Sequence, residues 1–429
     1  MASSAVVSKL IEWLESNGTT DSLLAIRYLG EYEGHGVLAK QTLPCGQVTL
    51  QVPFKLTMTV ESAARSDLAA VLEKYPQISS DEVLALHVMH ERNKGTRSFF
   101  APFLASLPTT FDLPVFWSDT ELNELRGTNV LLLTRLMQQQ LERDFQTIHQ
   151  EVTKAFPDIF ASLPTLTLED YTWAMSVIWS RAFGVNRGGK YLRLLCPAMD
   201  MFNHDVSLCN PLDDFVSFDD EKQMMVHHVP TEVTNGNAVH ISYGQYSNAK
   251  LLYSYGFVAQ GNPRRAVDFW VKVPPADPYR KLKQTILDAN DLTREQTYDF
   301  CGTLFRNDVD ERLLATLRVI LMNEQDMHLY KKAFMLSMIS VHNELAVYNN
   351  LQNACRRKLE TFPTTLEEDE AILTNATEKS SIRLLLAVRV RIEDKQVFAG
   401  VIDTIERWKH ALATCPETYP PSTTRMSTR

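Results

Sequence analysis

Long apolar runs are missing from this sequence of 429 residues. No stretch approaches the roughly eighteen consecutive apolar positions that indicate a membrane-spanning helix, so none is expected. The N-terminal segment MASSAVVSKLIEWLESNG also lacks the basic start, apolar centre and small-residue cleavage site of a secretory signal. These absences predict a cytoplasmic or nuclear location, or both.

Paired cysteines are also missing. The six cysteines form no CxC or CxxC pair, which is typical of a reducing compartment and excludes a cysteine-based zinc site. They are Cys45, Cys196, Cys209, Cys301, Cys355 and Cys415. His87 and His90 are three positions apart and do not flank Glu91 as the HExxH pattern of a metalloprotease requires. We therefore expect no metal.

Positive charge is not concentrated anywhere in the sequence. Lys and Arg number 43 against 52 Asp and Glu, which gives a formal net charge of -9. A protein that binds the nucleic-acid backbone usually presents a basic face, so no direct nucleic-acid binding is expected and a protein partner is favoured. With 45% hydrophobic and 22% charged residues, the composition is that of a folded protein, and the length predicts two or three units.

The period of the apolar residues changes along the chain and divides it into five predicted segments. These are residues 1–78 with a first helix and short strands, 79–190 as a helical insertion, 191–262 with further strands, 263–415 as a helical domain, and 416–429 as a disordered tail. Gly18 can end the first helix in the left-handed conformation. GVLAKQ and VTLQVP are expected to be strands of the first segment.

Three pairs of a hydroxyl residue and an acid three positions later predict helix starts, because this arrangement satisfies free N–H groups. The pairs are Ser79 with Glu82, Ser118 with Glu121, and Thr167 with Asp170. Further along, MMVHHV and AVHISYG are predicted strands, and DFWVKVP is the last strand-like run before a region expected to be helical to its end. Asp308 is the expected cap of the next helix.

Two segments have an unusual pattern: PAMDMFNHD at 197–205 and ISYGQYSNAKLLYSYGF at 241–257. In this order they resemble the signature motifs of SET-domain methyltransferases, in which an Asn-His pair and a strand-end tyrosine form a knotted cofactor site. EGHGVLA at 33–39 resembles the GxG element that opens such domains. The glycine-rich turn that a Rossmann-type methyltransferase needs between a strand and a helix is absent.

The helical insertion and the helical C-terminal domain resemble one subgroup, typified by Rubisco large-subunit lysine methyltransferase and actin-histidine methyltransferase. VPFKLTMTVESA, FFAPFLASLP and YTWAMSVIWSRAF look like its spacer segments, so the resemblance covers about residues 20–410. It implies an α+β fold, with a SET domain of small β-sheets around a knotted active site, a helical insertion and an all-helical C-terminal domain. It also implies S-adenosyl-L-methionine as cofactor, no metal, and a protein substrate docked on the C-terminal domain.

The resemblance also assigns roles to residues. Those that would bind the cofactor are Glu33, Gly34, His35, Arg181, Asp200, Met201, Phe202, Asn203, His204, Tyr255, Gly256 and Phe257. Those that would form the substrate channel are Ser180, Phe183, Met199 and Tyr243. Asn203 and His204 would hold the amino group and the adenine, and Arg181, at the end of a predicted helix, would pair with the cofactor carboxylate.

Tyr243 is the predicted catalytic residue. Strand alternation in VHISYG places Val239, Ile241 and Tyr243 on one face, and Gly244 lets the chain turn away directly afterwards. Methyl transfer is an in-line displacement at a carbon attached to a sulfonium, so the site must align the reacting atoms and offer oxygen acceptors around the methyl group. A buried packing tyrosine is the alternative interpretation.

The motifs leave open whether the methylated side chain is a lysine or a histidine. Removing the proton of a lysine with a pKa near 10.4 costs about 4–5 kcal/mol at neutral pH, and a sulfonium about 4 Å away disfavours the ammonium by roughly 4 kcal/mol. Histidine is largely neutral but needs a polar group to orient its ring, and the histidine-modifying branch has an asparagine where this sequence has Phe183. Phe183 and Met199 suit a lysine instead. The sequence therefore favours lysine N-methylation of a non-histone protein over histidine N-methylation and over a non-catalytic SET-like binding module.

Overall fold

The computed structural model describes residues 4–19, 23–30, 33–160, 166–208, 215–290, 300–335 and 337–414. The chain divides into two compact units. The first comprises Met1–Phe116, Thr134–Tyr246 and Lys250–Gly261, and the second comprises Trp117–Leu133, Ser247–Ala249 and Asn262–Arg429. The finer division into five segments remains a prediction, and its last segment, 416–429, lies outside the described residues.

The helices and strands occur in successive groups along the chain. The helices are α1 (Ser4–Ser16), α2 (Val60–Ala64), α3 (Ala69–Lys74), α4 (Ser80–Asn93), α5 (Ala101–Ser106), α6 (Asp119–Asn123), α7 (Asn129–Thr147), α8 (Thr153–Ala155), α9 (Pro157–Phe160), α10 (Leu168–Arg181), α11 (Asn248–Tyr255), α12 (Arg280–Asp288), α13 (Glu311–Ile320), α14 (Lys331–Phe334), α15 (Val341–Leu359), α16 (Leu366–Thr374) and α17 (Ile382–Thr414). The strands are β1 (Leu24–Gly30), β2 (Gly34–Ala39), β3 (Val48–Pro53), β4 (Met58–Thr59), β5 (Phe183–Arg187), β6 (Lys190–Leu195), β7 (Asn203–His204), β8 (Val216–Asp219), β9 (Met224–His228), β10 (Ala238–Ile241), β11 (Ala266–Val271), β12 (Phe300–Phe305) and β13 (Asp308–Val309). Within the described ranges, none of the helices is both long enough and apolar enough to span a membrane.

Small sheets form the β part of the first unit. Their strand orders are β1-β2-β10-β7, β3-β9-β8 and β4-β6-β5. β7 and β10 are parallel neighbours, with Asn203 opposite His240 and His204 opposite Ile241. This pairing brings the Asn-His pair beside the strand that leads to Tyr243, so the two motif segments meet at neighbouring strands.

Helices α4 and α10 pack against each other in the first unit and begin where the sequence predicts. The Ser79 N–H donates to the Glu82 carboxylate at 2.8 Å, and the Glu82 N–H donates to the Ser79 hydroxyl at 3.3 Å. The Thr167 hydroxyl accepts from the N–H of Asp170 at 3.1 Å. Each such cap stabilises a helix by about 1 kcal/mol. Because α10 ends at Arg181, this cation lies directly before β5.

The core of the first unit joins residues from many elements. Fully buried members include Leu10 of α1, Val52 of β3, Leu84 of α4, Ile178 of α10, and Met199. Burying one such side chain contributes roughly 1.5–3 kcal/mol. The N-terminal helix is docked on this core as predicted, and Gly18 after it has a φ of 104°, in the left-handed region.

The second unit is mainly helical, as predicted, but it also contains a sheet. β11 matches the predicted run DFWVKVP, and the sheet order is β11-β12-β13. The prediction that the chain is helical throughout after this run is therefore wrong for β12 and β13. The expected cap Asp308 is also wrong, because Asp308 lies in β13 and the Asp310 carboxylate accepts from the N–H of Arg312 at 2.8 Å to cap α13.

Paired charges are buried in the core of the second unit. Arg391 and Asp369 are both fully buried and form an ion pair at 2.6 Å, and Lys395 binds the other oxygen of Asp369 at 2.6 Å. Arg318 and Glu344 form a second buried pair at 2.6 Å. Buried charges require such partners, since an unpaired one costs several kcal/mol.

Candidate active site

The GxG element and the Asn-His pair meet in the four-stranded sheet. The side-chain amide of Asn203 donates to the carbonyl of Glu33 at 3.2 Å. Gly36 permits close packing here, because a Cβ there would overlap the Leu29 side chain and lie 3.2 Å from Asn203 Nδ2. Gly34 and His35 begin the same strand, β2. The predicted residues at the start of the chain and those near position 203 are therefore neighbours.

Tyr243 lies two residues beyond the end of β10, and its position is defined by both backbone and ring contacts. Its backbone N–H donates to His204 Nδ1 at 3.1 Å, and its hydroxyl donates to the carbonyl of Phe202 at 2.8 Å. The ring stacks on that of His204 with centroids 5.1 Å apart and on that of Tyr255 at 4.9 Å. These contacts fix the phenol in one orientation.

The turn after Tyr243 follows the prediction. Gly244 has a φ of 129°, a conformation that favours glycine. Burial raises the pKa of Tyr243 to about 12, while the nearby Arg181 guanidinium acts in the opposite direction. The phenol therefore keeps its proton near neutral pH and acts as a hydrogen-bond donor with free oxygen lone pairs, not as a base.

His204 supports Tyr243 only in its neutral form. Its Nδ1 accepts the Tyr243 N–H, so this nitrogen must be unprotonated. Burial lowers the pKa of His204, which favours the neutral ring. Phe257 lies beside both rings, with centroids 6.1 Å from His204 and 6.2 Å from Tyr243.

Arg181 and Asp200 form an ion pair next to this aromatic group. Arg181 Nη1 donates to the carbonyl of Asp200 at 2.8 Å and to its carboxylate at 3.0 Å. The Asp200 side chain is 1% exposed, and burial raises its pKa while the Arg181 charge opposes that rise. Arg181 Nε is buried and has no hydrogen-bond partner among the described residues.

A cavity of about 400 Å³ lies in the first unit. All four residues predicted for the substrate channel line it: Ser180, Phe183, Met199 and Tyr243. From the predicted cofactor set, Arg181, Asp200, Phe202 and Tyr255 also line it. We call this space the Tyr243 cavity.

The remaining predicted residues lie outside the lining of the Tyr243 cavity. Met201 is 3% exposed and belongs to the core. Gly256 has a φ of 82°, and a Cβ there would lie 3.2 Å from the backbone of Asp112. Glu33, Gly34, His35, Asn203, His204 and Phe257 are placed by the sheet and ring contacts given above.

Several residues of the Tyr243 cavity are missing from the sequence-based selection. They include Tyr191, Arg193, Ser242, Tyr246 and Lys250. Tyr191 is 73% exposed, and its hydroxyl lies so close to Gly184 that a Cβ at that position would overlap it. The alternation of YLRLL, which puts Tyr191 and Arg193 opposite two leucines, is the signal that would have found them.

Metal ligands are not grouped in the described part of the chain, where no cluster of three or more His, Cys, Asp or Glu residues could hold an ion. His87 Nε2 is 3.0 Å from the hydroxyl of Ser62, and His90 Nε2 is 3.0 Å from the Asp67 carboxylate. These histidines are bonded to different partners.

Residues 274–398 match the family model described as Rubisco LSMT substrate-binding. Over 405 residues the chain is 27% identical to the [Fructose-bisphosphate aldolase]-lysine N-methyltransferase of Arabidopsis thaliana, covering 91% of this chain and 81% of that protein. It is 26% identical over 412 residues to the actin-histidine N-methyltransferase of Gallus gallus, covering 92% of this chain and 67% of the relative. It is 25% identical to the Rubisco large-subunit N-methyltransferase of Nicotiana tabacum, covering 91% and 80% of the two chains.

Solved structures have the same fold. The SET domain of LSMT bound to lysine and AdoHcy superposes with a TM-score of 0.83 at 23% identity, covering 95% of this chain and 92% of that one. Rubisco LSMT bound to AdoMet gives a TM-score of 0.79 at 24% identity, covering 95% and 93%. The predicted α+β fold with a SET domain is therefore confirmed.

Proposed function

We propose that this chain, which is similar to the Rubisco large-subunit and actin-histidine methyltransferases and has the fold of a SET domain, methylates a lysine of a protein. The observation that supports this most is the Tyr243 cavity, in which a fixed phenol lies beside apolar and aromatic walls. The relatives include both lysine and histidine enzymes, so the type of acceptor is part of the proposal.

The residues present fit S-adenosylmethionine as the cofactor, which when bound supplies the methyl group from a sulfonium. The unused Nε of Arg181 is suited to the carboxylate of the cofactor. Among the described residues no hydrogen bond reaches Asn203 Oδ1, which is suited to accept from an ammonium. His204 and the adjoining backbone of β7 would hold the adenine.

Tyr243 would orient the acceptor and stabilise the transferring methyl group. Its hydroxyl proton is donated to the Phe202 carbonyl, which leaves the phenol oxygen lone pairs available. Such oxygens accept weak C–H hydrogen bonds from a methyl group that carries partial positive charge. The stacking of Tyr243 between His204 and Tyr255 supplies the fixed geometry that an in-line displacement needs.

Loss of the acceptor proton would be favoured by charge and not by a dedicated base. The wall of the Tyr243 cavity carries the cations Arg181, Arg193 and Lys250, and its carboxylate, Asp200, is already paired with Arg181. Nearby positive charge disfavours the ammonium form of a lysine. The burial that raises the pKa of Tyr243 would likewise disfavour a charged amine, so the neutral form would be the one that reacts.

Phe183 and Met199 support lysine as the acceptor. Both line the Tyr243 cavity, Phe183 partly buried and Met199 fully buried. Their apolar surfaces suit the aliphatic stem of a lysine, whereas an imidazole acceptor needs a polar partner at position 183 to select its ring nitrogen. Histidine methylation of the actin type is the second candidate, and a non-catalytic binding module is the third.

We also propose that residues 274–398 bind the protein substrate, because they match the substrate-binding model. The segment lies within the second unit, whose helices α15 and α17 pack on a buried apolar core. A cytoplasmic or nuclear location stays a prediction from the sequence.

Transfer of labelled methyl groups from S-adenosylmethionine to the proteins of a cell extract tests the activity. We expect a labelled protein with the natural chain and none with Tyr243→Phe. Tyr75→Phe is the matched control, since it removes a phenol hydroxyl that bonds an exposed carbonyl, that of Glu151, and it should keep full transfer. Cofactor binding without any transfer would favour the non-catalytic module.

A further inference from the structure

A second cavity, of about 570 Å³, lies within the first unit and shares no lining residue with the Tyr243 cavity. It is formed by α2, α4 and the segments that follow β3 and α4, and we call it the α2–α4 cavity. Its volume is in the range of about 300–1,000 Å³ that is typical of small-molecule sites. None of the predicted cofactor or substrate residues lines it.

Each carboxylate of the α2–α4 cavity is paired with a cation, although Asp67 and Glu91 share one ammonium. Glu91 binds Lys94 at 2.7 Å, and Asp67 binds the same ammonium at 3.1 Å. Glu61 binds Arg187 at 2.8 Å. In the lining as a whole, the four cations Lys55, Arg65, Lys94 and Arg97 outnumber the three acids Glu61, Asp67 and Glu91.

Cations without a close partner also line the α2–α4 cavity. Lys55 and Arg97 are exposed and have no ion pair within the described ranges of the chain. Arg65 is 80% exposed and reaches Glu61 only at 3.8 Å. In a protein with a net charge of -9, this local excess of positive charge favours an anion.

One wall of the cavity is aromatic and neutral. Phe99 is 49% exposed and meets Phe100 edge to face, with centroids 5.2 Å apart. The His87 ring also packs edge to face with Phe100, with centroids 5.7 Å apart. Burial lowers the pKa of His87 to about 4, so its ring is uncharged near neutral pH. A flat apolar group fits beside the exposed Phe99 ring.

We propose that the α2–α4 cavity binds a small anion with an aromatic ring, of the aryl phosphate type, at a site separate from the Tyr243 cavity. The anionic group contacts Lys55 and Arg97, and the ring packs on Phe99. The proposal rests on the lining of this cavity alone and does not depend on which residue the enzyme methylates.

Calorimetric titration of the full chain with phenyl phosphate, inorganic phosphate and phenol tests both parts of this ligand. We expect phenyl phosphate to bind at least about tenfold more tightly than inorganic phosphate, and phenol to give no measurable binding. Equal binding of phenol, or no binding of phenyl phosphate, would overturn the proposal. Binding of an acidic peptide in place of phenyl phosphate would also overturn it and indicate a peptide groove.

A pair of double variants locates the site. Lys55→Gln with Arg97→Gln should weaken phenyl phosphate binding at least about tenfold, because both changes are exposed and remove the unpaired cations. Lys9→Gln with Lys190→Gln removes the same charge from exposed positions outside the cavity and should leave the affinity unchanged. An equal loss of affinity in both double variants would show that phenyl phosphate is attracted by net charge alone. It would contradict a specific site in the α2–α4 cavity.

Saturation with S-adenosylhomocysteine separates the two cavities. Phenyl phosphate should bind with the same affinity in its presence. Competition between the two would assign the anion to the methyl-transfer site and overturn the proposal.

Discussion

The two units of this chain bury polar groups in different ways. In the first unit, burial lowers the pKa of His204 and lowers that of His227 to about 3, so both rings are neutral and pack against aromatic side chains. In the second unit, Arg391, Asp369 and Lys395 are buried in charged form and bind one another. A neutral histidine ring therefore packs beside Tyr243 in the first unit, whereas paired charges join helices in the second unit.

Two acids of the second unit add a further contrast. Burial raises the pKa of Asp394 to about 8 and that of Glu393 to about 7. Near neutral pH these carboxyls therefore hold protons that the unfolded chain has lost. Rising pH should therefore weaken the contribution of these two acids to stability, whereas it strengthens that of the buried histidines, and the following predictions test this difference.

The largest effect is expected from Asp369→Asn, which leaves Arg391 and Lys395 without their shared carboxylate. Removing one partner of a buried ion pair costs about 3–5 kcal/mol, and denaturant unfolding should show a loss of this size. Glu378→Gln is the control, since this exposed residue of the same unit should be replaced without effect. A loss of unfolding free energy below about 1 kcal/mol would contradict the proposal that paired charges stabilise the second unit.

Tyr243→Phe should reduce kcat by at least about 100-fold, because one positioned oxygen contact in a transition state is worth about 10²–10³ in rate. Thermal unfolding should change little, since the ring stacking on His204 and Tyr255 is kept. Steady-state kinetics with the labelled acceptor protein measures this. An unchanged kcat would exclude Tyr243 as the catalytic residue.

Phe183→Asn should lower kcat/KM for lysine methylation by roughly tenfold, because an amide replaces the apolar wall of the Tyr243 cavity, and such wall contacts are worth about 1–3 kcal/mol. Phe183→Leu is the matched control and should keep most of the activity, as it remains apolar. If both variants behave alike, polarity at this position does not decide the acceptor.

Asp394→Asn should flatten the pH dependence of stability. Between the ordinary pKa of 3.8 and the raised value of about 8, rising pH ionises this carboxyl only in the unfolded chain, so unfolding becomes easier. The variant should lose less unfolding free energy between pH 5 and about 8 than the natural chain. Asp288→Asn, at an exposed position of the same unit, should keep the original slope.

The smallest effect is expected from His227→Gln, in the opposite pH range. As pH falls from 6.5 towards about 3, the unfolded chain protonates this histidine and the folded chain does not, so stability falls with decreasing pH. The variant should show a shallower acid loss in denaturant unfolding at pH 5 compared with pH 7.5. An unchanged acid slope would show that His227 does not contribute to it.

Local signals in the sequence predicted much of this structure. The caps at Ser79 and Thr167 form as expected, because a hydroxyl and a following N–H are close whenever a helix begins there. The left-handed turn at Gly244 is equally local. The residues predicted for the substrate channel came from the family resemblance, and in the structure Ser180, Phe183 and Met199 line one cavity.

Features that depend on distant partners were missed. β12 pairs with β11 across more than 30 positions of sequence, with Ala266 opposite Phe305, and no local pattern encodes that pairing. Asp310 and not Asp308 caps α13, because Asp308 pairs with Phe305 in the sheet. Tyr191 was missed because an exposed aromatic residue in a hairpin looks like surface until the cavity beside it is known.

The identity of the methylated side chain tests the central claim most directly. The labelled acceptor protein is hydrolysed completely to amino acids, and the radioactive products are separated against methylated lysine and methylated histidine standards. The Tyr243 cavity, with Phe183 and Met199 in its wall, predicts that all label elutes with Nε-methylated lysine. Label that elutes with methylhistidine would contradict the account.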